Sequence, residues 1–248
     1  MTATLAGRPS ATARRGFGVR LLDKYFYFGM SLLIPAIVIY GFSHTVNENL
    51  FHPAVPRPTI LWFHSAVFSC WVLFYLFQSA LVRTRNVRLH RTTGWFGAAL
   101  GAVIPVLGVA TAVTMTRFKV HQLHQAGTAV FMLVPFLDVS CFATTLWLAV
   151  YWRKKPELHR RLVLMATCAL TAAAFGRFPL NLMQETWFYA GVDALILLGV
   201  ARDLVVNRSV NRVNAIGLPV FAVCQFAVIH TIITAPAWWV RIANAIVG

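Results

Sequence analysis

Apolar residues in this chain run in long blocks, separated by short polar stretches that alternate between strongly basic and nearly neutral. A helix that crosses the hydrocarbon layer needs about 20 mostly apolar residues. Seven blocks predict such helices: Tyr25–Ser43, Thr59–Val82, Thr93–Met115, Ala126–Tyr151, Arg161–Phe178, Trp187–Val206 and Ala215–Ile233. The fifth is the shortest, which calls for a smaller tilt or a locally thinner bilayer. The pattern therefore predicts an all-α polytopic bundle with seven transmembrane helices. It forms one domain over residues 25–248, preceded by a basic arm over residues 1–24.

Composition supports this class. Hydrophobic residues make up 58% of the 248-residue chain and charged residues only 12%, with mean hydropathy +0.68. A water-soluble domain of this size has no means of hiding so much apolar surface. The basic residues are not spread evenly. Of the 22 Lys and Arg, only Arg57, Arg117, Lys119, Arg177 and Arg241 fall on one side of the predicted spans, and all others on the opposite side. The positive-inside rule then puts the N-terminus in the cytoplasm and the C-terminus outside, with the bacterial inner membrane as the expected location. The net charge of +15 points to anionic lipid head groups beside short loops and not to nucleic acid, because no basic, aromatic-rich soluble domain is present. The run Ala13-Arg14-Arg15-Gly16-Phe17 is similar to a twin-arginine signal. Asp23 and Lys24 interrupt it before the apolar block, however, and the arm is read as a cytoplasmic anchor. Cys70, Cys141, Cys168 and Cys224 all fall within spans and form no C-x-x-C pair, so they read as small apolar packing residues.

The chain also repeats itself. Leu89-His90-Arg91 leads into the third span and Leu158-His159-Arg160-Arg161 into the fifth. Each follows a descending span and a basic turn. Two hairpins in the same orientation imply a pseudo-two-fold axis along the membrane normal, with spans two to five as a four-helix core and spans one, six and seven around it. Gly97 and Gly101 form a small-xxx-small pair that lets helices approach closely. Pro35, Pro105, Pro135 and Pro219 lie within spans, where kinks are expected.

Ionisable residues at membrane depth are costly and mark candidate sites. His64, Trp71 and Gln78 are spaced to share one face of the second span, a polar stripe aimed into the bundle. His64 and His230 fall at similar depth in the outer half, as two axial ligands of a b-type haem would. A transition-metal site built from His64, Asp193 and the loop residues His121 and His124 is the other cofactor candidate. Arg177 is the one deep cation available to Asp138 and Asp193, so a structural Arg177–Asp193 pair is expected, with a proton relay through the carboxyls as the functional alternative. His90 and His159, with Arg91 and Arg160, are read as a lipid-facing basic surface suited to phosphate.

Several of these segments resemble a family of uncharacterised bacterial multi-pass membrane proteins. They are Phe63-His64-Ser65, Leu89-His90-Arg91, Gly94-Trp95, Val134-Pro135-Phe136-Leu137-Asp138, the run from Glu157 to Thr167, and Gly176-Arg177. The repeated hairpin is more loosely similar to membrane proteins of haem–copper oxidase assembly and to cytochrome b561-like bundles, though the latter's histidine pairs at both faces are missing. That family brings no activity to carry over. Three functions follow as expectations: a redox protein with a haem or metal site in the outer half, a non-catalytic subunit or assembly factor with membrane-protein partners, and a small-molecule transporter. A transporter usually shows inverted repeats and broken spans, and the repeat here is parallel.

Overall fold

The computed structural model describes residues 16–125, 127–180 and 186–248. The basic arm up to residue 15 and the predicted start of the fourth span at Ala126 lie outside them. The described residues are all-helical, with 84% helix and no strand. The helices are α1 Phe17–Ser43, α2 Ile60–Arg83, α3 Val87–His121, α4 Leu133–Tyr151, α5 Pro156–Ala169, α6 Ala172–Phe175, α7 Phe188–Asn207, α8 Arg212–Thr234 and α9 Ala237–Val247.

Six of these stretches are long and apolar enough to cross a membrane: α1, α2, α3, α4 with the short 3-10 turn that precedes it, α5 continued through α6, and α8. Six apolar helices of this length make the chain an integral membrane protein. The helix α7 matches the sixth predicted span in position but carries Asp193, Arg202 and Asp203. That charge separates it from the other six.

Local chemistry explains the ends. Asn86 caps α3, its side chain accepting from the Leu89 amide at 3.3 Å. Asn211 caps α8, accepting from the Val213 amide at 3.0 Å. Pro156 opens α5, where a missing N–H costs nothing, and Glu157 follows in the first turn. Pro35, Pro105 and Pro219 sit inside α1, α3 and α8 as expected. Pro135 instead stands in the first turn of α4, just after the 3-10 turn Thr128–Met132. There its missing N–H falls among the unpaired donors of the first α-helical turn, so it starts a helix and does not kink one.

The packing centre differs from the expected four-helix core. Of the most apolar stretch of α5–α6, 67% is buried within the protein, against 11% for α2. The α5–α6 segment is therefore the axle of the bundle, and α2 is peripheral. The reason is side-chain size. Ala166, Cys168, Ala169, Ala172 and Ala174 let α1, α4, α7 and α8 pack against it from all sides. At the closest point a side chain on Gly41 of α1 would strike the backbone carbonyl of Ala174, so only glycine fits there. The α2–α3 hairpin joins through the predicted glycine stripe: a side chain on Gly101 would meet Leu146 of α4 and Trp71 of α2.

One end of the bundle gathers the α1 start and the α2–α3, α4–α5 and α7–α8 turns, and is called the basic end. The other gathers His44, His52, His121, His124 and Arg177, and is called the histidine end. Four helices are locked together near the basic end by one carboxylate. Asp203 of α7 has no solvent exposure, and Arg161 and Arg202 are each 2% exposed. Arg161 of α5 grips Asp203 with two guanidinium nitrogens, Nε at 3.0 Å from Oδ2 and Nη2 on Oδ1. Arg202 adds Nη1 at 2.9 Å and also reaches Asp23 of α1. Asn207, the Asn211 amide and Asn214 of α8 complete six donors, with Asn214 at 2.9 Å. Arg161 further donates to the Glu157 carboxylate at 2.7 Å. Removing one partner of such a buried pair strands a charge and costs about 3–5 kcal/mol. Asp203→Ala is therefore expected to lower stability by about that amount in denaturation of the detergent-solubilised protein. Arg161→Met combined with Asp203→Leu is expected to recover most of the loss. A loss of less than about 1 kcal/mol for Asp203→Ala would show that the network does not hold the helices.

Candidate functional site

Four cationic or imidazole side chains from separate parts of the chain converge at the histidine end. Arg57 precedes α2, His64 lies in its second turn, Lys119 is in the last turn of α3, and Arg177 follows α6. Arg177 stands within electrostatic reach of both His64 and Lys119, and Arg57 within reach of Lys119. The packing that places them is aromatic. The Arg57 guanidinium lies 5.1 Å from the Phe118 ring centre and that of Arg177 lies 4.4 Å from Phe42. The His64 ring leans on Phe68 with centroids 4.0 Å apart. Arg177 also donates from Nε to the Thr45 hydroxyl at 3.2 Å and from Nη1 to the Ala173 carbonyl. Arg57 donates to the Asn49 side chain at 3.3 Å.

No carboxylate among the described residues pairs with any of these groups; the ion pairs present involve Asp23, Glu157 and Asp203 at the basic end. Two nitrogens at the site, Arg57 Nε and His64 Nδ1, are buried without a hydrogen-bond partner among the described residues. The backbone contributes as well. The fifth span breaks after Ala169, turns through Leu170 and Thr171, and ends its helical path at Phe175, two residues before Arg177. Leu170 and Thr171 keep right-handed helical angles, so the turn tightens the span without unwinding it. A cluster of cations at the end of that span suits a negatively charged group and repels a bare metal cation.

The other predicted residues are distributed differently. His230 is exposed on the outward face of α8, its nearest ring neighbour Phe226 at 6.1 Å, so it does not face His64 and the paired axial ligands are not assembled. The metal set is also dispersed. His121 is directed to the Val247 carbonyl at 3.3 Å, where with Arg117 it pins α9, and His124 is exposed in a left-handed turn. The described residues contain no group of three His, Cys, Asp or Glu side chains able to hold a metal ion. The second-span stripe does point inward. Trp71 is 4% exposed and packs edge-on to Phe142, while the Gln78 amide donates to Thr93 at 2.7 Å.

The expected Arg177–Asp193 pair is not formed. Arg177 turns to Thr45 and Ala173, Asp138 accepts from the Tyr189 hydroxyl at 3.1 Å, and Asp193 has Gln225 as its polar neighbour. Depth alone had suggested the pair, but Arg177 lies on the α1 side of the axle segment. His90 and His159 correct the lipid-facing reading. Their rings meet edge-on with centroids 6.3 Å apart, and His159 Nδ1 is held by the Ala149 carbonyl at 2.9 Å, because the two repeat turns pack against each other. Arg91 is exposed as expected, whereas Arg160 pairs with Glu157 at 2.6 Å and covers the Tyr27 ring. Sequence reasoning missed Asp203 and its partners, and the role of Arg57 and Lys119. The signal for the second was present in the count of only five cations on that side.

No protein family, curated protein or solved structure matches the chain. Since Arg177 and Asp193 have separate partners, Arg177→Ala and Asp193→Asn are expected to act additively on detergent thermal stability, within about 0.5 kcal/mol. Mutual rescue in the double variant would restore the pairing that the geometry removes.

Proposed function

We propose that this is a seven-span protein of the bacterial inner membrane, N-terminus in the cytoplasm and C-terminus outside, that binds a negatively charged ligand at its histidine end. The single observation that carries this reading is the set of like-charged neighbours Arg57, Lys119 and Arg177, with Arg177 also within reach of His64 and no carboxylate paired to them among the described residues. Charges of one sign at the rim of a low-dielectric bundle attract and hold an anion. A carboxylate or phosphate group fits the planar fork of arginine. Among the functions expected from sequence, small-molecule transport gains from this. A haem or metal redox centre in the outer half loses support, because its ligands are dispersed and its surroundings are cationic. Membership of the multi-pass family with repeated Leu-His-Arg hairpins, contacts with anionic lipids at the basic end, and membrane-protein partners remain compatible with the reading.

The test uses purified protein in discs of zwitterionic lipid. Inorganic phosphate and citrate are titrated at constant ionic strength while thermal unfolding is followed. Binding to the folded state alone stabilises by about 2.7 kcal/mol at one hundred times Kd, so the midpoint rises with at least one of the two anions. Arg177→Gln and Lys119→Gln abolish that rise, and Arg153→Gln at the basic end retains it. An equal rise in all variants, or none in the unsubstituted protein with either anion, would refute the assignment.

A further inference from the structure

A second polar centre lies deeper, on the opposite side of the α5–α6 axle, and its chemistry is different. Asp138 of α4, Tyr189 of α7 and Gln225 of α8 line a cavity of about 10 Å³, the lower limit for one water molecule, together with Leu137, Cys141, Ala169, Val192 and Phe221. Tyr189 donates its hydroxyl to Asp138 Oδ1 at 3.1 Å. Asp193 follows Tyr189 by one helical turn, on the same face of α7, and Gln225 is its neighbour. Its Oδ1 is buried with no hydrogen-bond partner among the described residues. No Lys, Arg or His among the described residues forms an ion pair with either carboxyl. The remaining titratable groups that face Asp138 are Tyr189 and Cys141, with Cys224 of α8 beside Cys141.

A carboxyl in the spanning region without a counter-ion is costly as an anion and is kept where protons are handled. We propose that Asp138 and Asp193 form a proton-binding pair inside the membrane, linked through the Tyr189 hydroxyl, Gln225 and the water-sized cavity. In the exchange an O–H bond breaks at one carboxyl and forms at the other. A water in the cavity passes a proton between Asp193 and the Tyr189 hydroxyl as that hydroxyl exchanges one with Asp138; the Gln225 amide keeps its protons and only orients the water, so water and tyrosine end as they began and nothing is oxidised or reduced. Asp138 supplies the site most enclosed by protein, and the unpartnered Asp193 oxygen supplies the acceptor. This inference stands on its own geometry and does not depend on an anion at the histidine end.

The test is infrared difference spectroscopy of the full-length protein in lipid discs, perfused between acidic and alkaline buffer. The unsubstituted protein is expected to give a carboxylic-acid C=O band that follows pH. Asp138→Asn removes that band, and Tyr189→Phe moves it, because the tyrosine hydrogen bond is lost while the fold is retained. Asp193→Asn moves it as well, since Gln225 stands between Asp193 and the cavity that Asp138 lines, and Glu157→Gln at the basic end leaves it unchanged. If Asp138→Asn fails to fold, the Tyr189→Phe and Asp193→Asn shifts decide the matter. A band that persists unmoved in Tyr189→Phe and Asp193→Asn, or the absence of any pH-dependent band in the unsubstituted protein, would overturn the proposal.

Discussion

The carboxylate of Asp203 is the interaction on which the rest of the bundle depends. It is fully enclosed at the end of α7, and six donors from α5, α7 and α8 converge on it, with α1 joined through Asp23. In a bilayer, helices gain little from burying apolar surface against one another, because lipid is equally apolar. Close packing of small residues and satisfied polar networks must hold them instead. The short side chains of α5 supply the first, and Asp203 supplies the second at one end of the same helix. With that end fixed, Arg177, two residues beyond α6, has a defined place at the other end.

The two ends of the molecule use charge in opposite ways. At the basic end, the carboxylates of Asp23, Glu157 and Asp203 are drawn into contacts with Arg160, Arg161 and Arg202. Many of the remaining cations there are exposed in the turns between helices. At the histidine end the cations are few, yet Arg57, Lys119 and Arg177 lie within one another's field despite their mutual repulsion, Arg57 and Arg177 resting on the Phe118 and Phe42 rings. Like charges do not assemble without compensation, and protein carboxylates do not provide it among the described residues. Between these ends the carboxyls of α4 and α7 are met by a phenol and an amide and by no cation.

Much of the fold was legible in the sequence because hydrophobic length is a direct consequence of bilayer thickness. The helix positions, the inward face of the α2 stripe and the close approach at Gly101 all follow from spacing. The sequence put the fifth span in a four-helix core on equal terms with the second; that α5 is the axle and α2 peripheral did not follow, since it depends on side-chain size integrated over all neighbours. Asp203 was hidden for a similar reason: next to Arg202 it reads as a span end, and only three-dimensional packing brings Arg161 and Asn214 to it. At the candidate site, His64 and Arg177 stood out because they are ionisable and near the hydrocarbon. Their expected partners did not hold, since depth gives height along the membrane normal but not rotation about a helix. His64 and His230 share a level yet face different directions, and Arg177 and Asp193 lie on different sides of α5–α6.

The central claim is that the histidine end holds an anion and not a metal cation. Anomalous diffraction from crystals soaked in bromide tests it most directly, because the bromide ion needs only the positive field of the site. The account predicts a bromide peak among Arg57, Lys119 and Arg177, next to His64. Bromide peaks only at the basic end, or a metal ion coordinated by His64, would contradict it.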